Sequence, residues 1–128
     1  DAVKKGARVH CGGRRNPNLD GQFYEPTVLT GVTSDMRISR EEVFGPVMCI
    51  AKVSDDDDDK CVEMVNACDF GLGSSVYSAN QDRAMRIGGR IKSGMFTAND
   101  FGANYLIQSL PFGGVKESGF ARFAGPEG

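Results

Sequence analysis

The chain has 128 residues, 40% of them apolar and 25% charged, with a formal net charge of −2. That length is enough for one domain with its own core, and the composition is that of an ordinary soluble globular protein. The balance of charge gives no reason to expect nucleic acid or an anionic membrane as partner: the basic residues Lys4, Lys5, Arg8, Arg14 and Arg15 form no stripe with interleaved aromatics and read as solvated surface.

Asp1 to Gly6 is polar, carries no initiator Met and reads as the middle of a helix ending at Gly6. The chain therefore reads as cut at its start, with any targeting segment outside it. Ala7 to His10 is expected to be a short strand, Cys11 to Gln22 a loop, and Thr27 to Val32 a second strand. Val47 to Val53 is a nearly continuous apolar run, as expected of a strand covered on both faces.

The acidic run Asp55 to Asp59 lacks the alternation and central glycine of a calcium loop. With Lys60 it also matches an enteropeptidase-like cleavage sequence by chance. It reads as a helix start capped by Ser54, where acids favour the positive end of the helix dipole. Cys61, Met64, Val65 and Cys68 then follow at i, i+3, i+4 and i+7, one expected buried stripe, with Gly71 as the stop. Ser74 to Ser78 is the next strand. Gln81 to Ile91 is a second helix, capped by Asn80 or Ser78, with Ala84, Ile87, Gly88 and Ile91 on one face. Gly94 to Ala98 is the third strand of this series. Strand, helix, strand, helix, strand implies parallel strands with right-handed crossovers, and ligands bind beyond the carboxyl ends of such strands, where Asn99 and Asp100 lie. The segment from Phe101 to Gly128 reads as an irregular loop rich in Gly and Phe. With no repeat and no linker, residues 1–128 count as a single, incomplete domain.

Four cysteines, none in a C-x-x-C pair, and one histidine argue against a zinc site, so all four read as reduced thiols, three of them buried. Cys11 beside His10 is the sole candidate nucleophile with a base, and strand neighbours point to opposite faces. Neither Gly71-Leu72-Gly73 nor Gly113-Gly114-Val115-Lys116 completes a phosphate-binding loop.

Two stretches are more specific. In Glu41-Glu42-Val43-Phe44-Gly45-Pro46 a Gly-Pro turn precedes the apolar strand, with two carboxylates and an aromatic beside it. The residues fit either a helix terminus with surface acids or a binding turn. In Ser109-Leu110-Pro111-Phe112-Gly113-Gly114-Val115-Lys116-Glu117-Ser118-Gly119 a Phe sits between a rigid Pro and two flexible Gly, which fits either a core anchor or an apolar ring presented on a loop.

Taken in order, E-x-F-G-P at Glu42 to Pro46, Asn66 before Gly71-Leu72, a strand ending in Asn99, and P-F-G-G-x-K-x-S-G at Pro111 to Gly119 resemble the aldehyde dehydrogenase superfamily, from about Gly6 to Gly128. Asn99-Asp100-Phe101 through Gln108-Ser109-Leu110-Pro111-Phe112 looks closest to a plant-type branch. The resemblance implies an α/β fold, a partial catalytic domain with a mostly parallel sheet flanked by helices and a long irregular Gly/Phe-rich carboxy-terminal loop. It implies an NAD- or NADP-dependent oxidoreductase that oxidises an aldehyde to a carboxylic acid through a cysteine thiohemiacetal and thioester. The nucleophile, general base and main nucleotide-binding domain then lie upstream, so no catalytic residue falls in this chain. It places Glu42 on the nicotinamide ribose hydroxyls, Phe44 against the same ribose and ring, and Phe112 along the aldehyde tunnel. It also implies the remainder of the same polypeptide as partner and a homo-oligomeric parent; the compartment is not readable from these residues, and an intracellular, cytoplasmic setting is the default expectation. The family commonly continues S-G-x-G-R-E. In this chain Ala121 replaces the second glycine, and Phe123 stands where a glutamate that helps relay protons is frequent. The alternative is a truncated, non-enzymatic paralogue acting as a protein-binding module; the upstream coding sequence separates the two.

Overall fold

The computed structural model describes residues 1–126. They form two compact units, one of Asp1–Ser54 and one from Asp55 onward.

The first unit begins with a 3-10 turn, Val3–Lys5, stopped by Gly6 at φ 103°, a left-handed conformation that glycine adopts without a Cβ penalty. Strands β1 (Arg8–Cys11), β2 (Thr27–Thr30) and β3 (Val47–Ile50) make one sheet in that order, β1 antiparallel and β3 parallel to β2. The buried side chains of Ala7, Leu29, Val32 and Met36 form its core, with Ala2, Ile38 and Val47 packed against them. β3 departs from the expected strand at Val47 to Val53. It ends at Ile50, and Met48 is 61% exposed. Among the described residues it pairs only with β2. An apolar run is the same whether a strand is covered on both faces or lies at an edge, so the sequence pattern does not separate the two.

In the second unit α1 (Asp58–Asn66) starts three residues later than Ser54 would place it. Asp57 is the cap, accepting from the Lys60 amide at 2.7 Å. With the helix starting there, Val62 is its buried residue; Cys61 and Met64 are half-buried, Val65 is exposed, and Cys68 lies past the last turn. The expected stripe thus lies beside the true one. The thiols are all free, but none is buried: Cys61 and Cys68 are intermediate, Cys11 and Cys49 exposed.

Next come β4 (Phe70–Gly71), β5 (Gly73–Val76), α2 (Gln81–Gly88) and β6 (Met95–Ala98). Asn80 caps α2, accepting from the Arg83 amide at 2.9 Å, and Ala84, Ile87 and Gly88 are buried as their spacing requires. β5 and β6 pair in parallel with α2 packed on both. The expected three-strand series is therefore realised only in part, because β3 spends its pairing on β2 in the first unit. The carboxy-terminal stretch is also less irregular than expected. It contains α3 (Ala103–Leu106) and β7 (Val115–Lys116), which pairs antiparallel with β4.

Two of the sequence motifs meet in this unit. The Gly71 carbonyl accepts from the Gly94 amide at 3.0 Å while Gly71 pairs with Val115, so Gly71 joins the β4–β7 and β5–β6 pairs. A Cβ added at Gly94 would run into the Gly113 carbonyl, so the backbone of the Pro111–Gly119 stretch lies directly against the start of β6. No helix among the described residues is long and apolar enough to cross a membrane.

Candidate functional site

The Glu41 to Pro46 stretch hangs from a buried anchor. Met36 is fully buried; its sulfur accepts from the Thr33 amide at 3.4 Å and its carbonyl from the Ser39 hydroxyl at 2.7 Å. A 3-10 turn at Arg37–Ser39 follows. On the far side the Val47 amide donates to the Gly45 carbonyl at 2.8 Å, a three-residue turn, and the Pro46 carbonyl accepts from the Thr27 amide at 2.8 Å. The Gly-Pro step thus fixes how the chain enters β3.

Between these anchors the two carboxylates have different fates. Glu41 receives both Nε and Nη2 of Arg37 at 2.8 Å, a bidentate pair. Those hydrogen bonds hold the Glu41 carboxyl below the usual carboxylate range and raise Arg37. Glu42 makes no ion pair or hydrogen bond among the described residues and is exposed. Glu41 is thus a paired surface acid, and Glu42 an exposed one with no partner among the described residues. Both lie on a cleft of about 340 Å3 that Tyr24, Thr27 and Leu29 also line. Phe44, 96% exposed, packs on nothing in its own unit.

In the second unit, the Pro111–Gly119 stretch is held mainly by polar contacts. The Lys116 ammonium donates to the carbonyls of Asn66, at 3.0 Å, and Cys68, a cation at the negative end of α1. Ser118 accepts from the Gly71 amide at 3.0 Å. Asn66 donates to the Arg90 carbonyl at 2.9 Å and accepts from the Lys92 amide at 2.7 Å, and Asn99 accepts from the Ser78 amide at 2.8 Å. These motif residues position the backbone of the stretch. Phe112 is half-buried, its ring centroid 5.6 Å from that of Tyr105 and 5.0 Å from that of Phe123.

Sequence reasoning missed Arg37 as the partner of Glu41, although the i, i+4 spacing was available. It also missed Tyr105 and Phe123 as neighbours of Phe112; their aromatic character was visible, their proximity was not. The Cys11–His10 pair does not form. His10 turns its ring to the Thr30 hydroxyl, 2.8 Å away.

The profile of the aldehyde dehydrogenase family matches residues 1–128. The chain belongs to that family. It is 48% identical over 122 residues to an NADP(+) succinate-semialdehyde dehydrogenase of Deinococcus radiodurans, covering 95% of this chain and 24% of that one. The crystal structure of an NAD-dependent aldehyde dehydrogenase from Sinorhizobium meliloti superposes with a TM-score of 0.87 at 38% identity, covering 99% of this chain and 24% of that one. A salicylaldehyde dehydrogenase from Pseudomonas putida, complexed with salicylaldehyde, superposes with a TM-score of 0.86 at 34% identity, covering 99% and 25%. The chain thus spans about a quarter of the length of these aldehyde dehydrogenases, and its α/β fold is that of the corresponding part of their structures.

Proposed function

We propose that this chain is the carboxy-terminal part of the catalytic domain of an NAD(P)-dependent enzyme that oxidises an aldehyde to a carboxylic acid. The family match along residues 1–128 carries the reading, and the separate fates of Glu41 and Glu42 support its assignment of residues. NAD or NADP, when bound, supplies the hydride acceptor. A carboxylate accepts from two neighbouring hydroxyls at once, which suits the nicotinamide ribose. Glu42 has that capacity uncommitted, whereas Glu41 has spent it on Arg37. Phe44 offers an uncovered ring face for the same ribose and ring, and Phe112 borders the path of the aldehyde.

The nucleophile, the general base and the main nucleotide-binding domain belong to the remainder of the same polypeptide, which is this segment's first partner. The parent is a homo-oligomer, and the plant-type placement of the Asn99 to Phe112 stretch belongs to the same reading. The two relatives named for their substrates differ, one taking an aliphatic semialdehyde and the other an aromatic aldehyde. What they share is the aldehyde group, and that group defines the substrate class of the parent enzyme.

A consequence follows for the segment alone. Residues 1–128 purified with an aldehyde and NAD(P) produce no NAD(P)H, whereas the longer polypeptide containing them does. Steady NAD(P)H formation by 1–128 that survives repurification and heat-inactivated controls contradicts this division of labour.

A further inference from the structure

We propose that Phe123 is a specificity-determining residue. With Phe112 and Tyr105 it builds a continuous aromatic wall that favours aldehydes carrying a flat aromatic group. This rests on the reading of Phe112 as a neighbour of the aldehyde.

Four rings follow one another in the second unit: Phe101 to Tyr105 at 5.6 Å between centroids, Tyr105 to Phe112 at 5.6 Å, and Phe112 to Phe123 at 5.0 Å. All three spacings lie within the range of favourable aromatic pairs. The Phe112–Phe123 pair is fixed by backbone as well as by rings. The Phe112 amide donates to the Phe123 carbonyl at 2.7 Å and the Phe123 amide to the Phe112 carbonyl at 2.9 Å. Residues that exchange both bonds across an antiparallel bridge carry their side chains on the same face. Whatever borders Phe112 on that face therefore meets Phe123 next.

The chain accepts strain to make this pairing. Ala121 and Ala124 flank Arg122-Phe123 at φ 71° and 60°, left-handed values that an alanine adopts only at a cost. Stacking on Phe112 does not cover Phe123, which stays 64% exposed, with Tyr105 at 50%. These ring faces are uncovered within this chain, which spans about a quarter of its relatives' length. Of the three rings Tyr105, Phe112 and Phe123, Tyr105 alone carries a polar group, its hydroxyl. Phe123 occupies the position where a glutamate is frequent in the family, so an apolar ring replaces a carboxylate along this face.

The test compares kcat/KM for benzaldehyde and for propanal in the full-length protein. Phe123→Leu keeps an apolar side chain and is expected to lower the benzaldehyde-to-propanal ratio by roughly tenfold, and Phe123→Glu by more. Phe112→Ala shifts the ratio too. Phe120→Leu, the same change at a ring that is 94% exposed in the same loop, leaves it unchanged. If Phe112→Ala shifts the ratio while Phe123→Leu leaves it within about twofold, this proposal is overturned and the reading of Phe112 stands. An equal shift in Phe120→Leu also overturns it. If neither Phe112→Ala nor Phe123→Leu moves the ratio, the reading of Phe112 falls as well. Should Phe123→Leu fail to fold, Phe123→Met carries the same comparison with the same two outcomes.

Discussion

Ala121 shows how much a single departure from the family pattern weighs. Its φ of 71° lies in the region where a Cβ crowds the following carbonyl. Glycine there relieves the strain and loses part of the gain to its greater freedom in the unfolded chain. Ala121→Gly is expected to raise stability by about 1 kcal/mol, read as a higher denaturant midpoint at unchanged slope. A lower midpoint would mean that the left-handed conformation is not what the residue holds in solution. At this scale the sequence was legible where local chemistry decides. Gly6 as a stop and Asn80 as a cap stand where they were expected. It was not legible where a distant segment decides. Lys116 sits at φ 57° and reaches the carbonyls of Asn66 and Cys68 across about fifty residues of chain, and no neighbour in sequence announces that.

Between elements, the acidic run works as more than a helix start. Asp57 caps α1, and Asp58 receives Nε of Arg83 at 2.9 Å and Nη2 at 2.6 Å, tying the first turn of α1 to α2. Asp59 pairs with Arg90 at 2.6 Å. Hydrogen bonds from Arg83 hold the Asp58 carboxyl below its ordinary range. A carboxyl depressed in the folded state binds fewer protons there than in the unfolded chain. Its stabilisation is therefore present above the unfolded value of about 3.9 and is lost as pH falls through the folded value. Asp58→Asn is expected to lower stability near neutral pH and to flatten the loss of stability on acidification, measured by denaturant titration across the acid limb. An unchanged acid limb would show that the pair contributes nothing in solution, the usual fate of exposed ion pairs. The acids were readable as an N-terminal signal from their position alone. Their pairing with Arg83 and Arg90 was not, because it depends on where the fold brings α2 and the turn after it, about thirty residues on.

For the molecule as a whole, the two motifs that suggested a function lie in different compact units, one carrying Glu42 and Phe44 and the other Phe112. The order of four motifs made the family legible from sequence, and the fold agrees with it. The assignment of strands to sheets was not legible: β3 and β6 are similar short apolar runs, and only register with β2 or β5 places each. What distinguishes the reading of the site is the contrast between two adjacent carboxylates, one committed to Arg37 and one uncommitted. In the full-length protein, the measurement that tests it most directly is the single-turnover hydride-transfer rate beside the cofactor dissociation constant, for Glu42→Gln and Glu41→Gln. Misplacement of the nicotinamide predicts a loss of hydride-transfer rate on the order of a hundredfold for Glu42→Gln, with cofactor affinity nearly kept, and a far smaller loss of rate for Glu41→Gln. An unchanged hydride-transfer rate in Glu42→Gln, with cofactor affinity lost instead, would contradict the account.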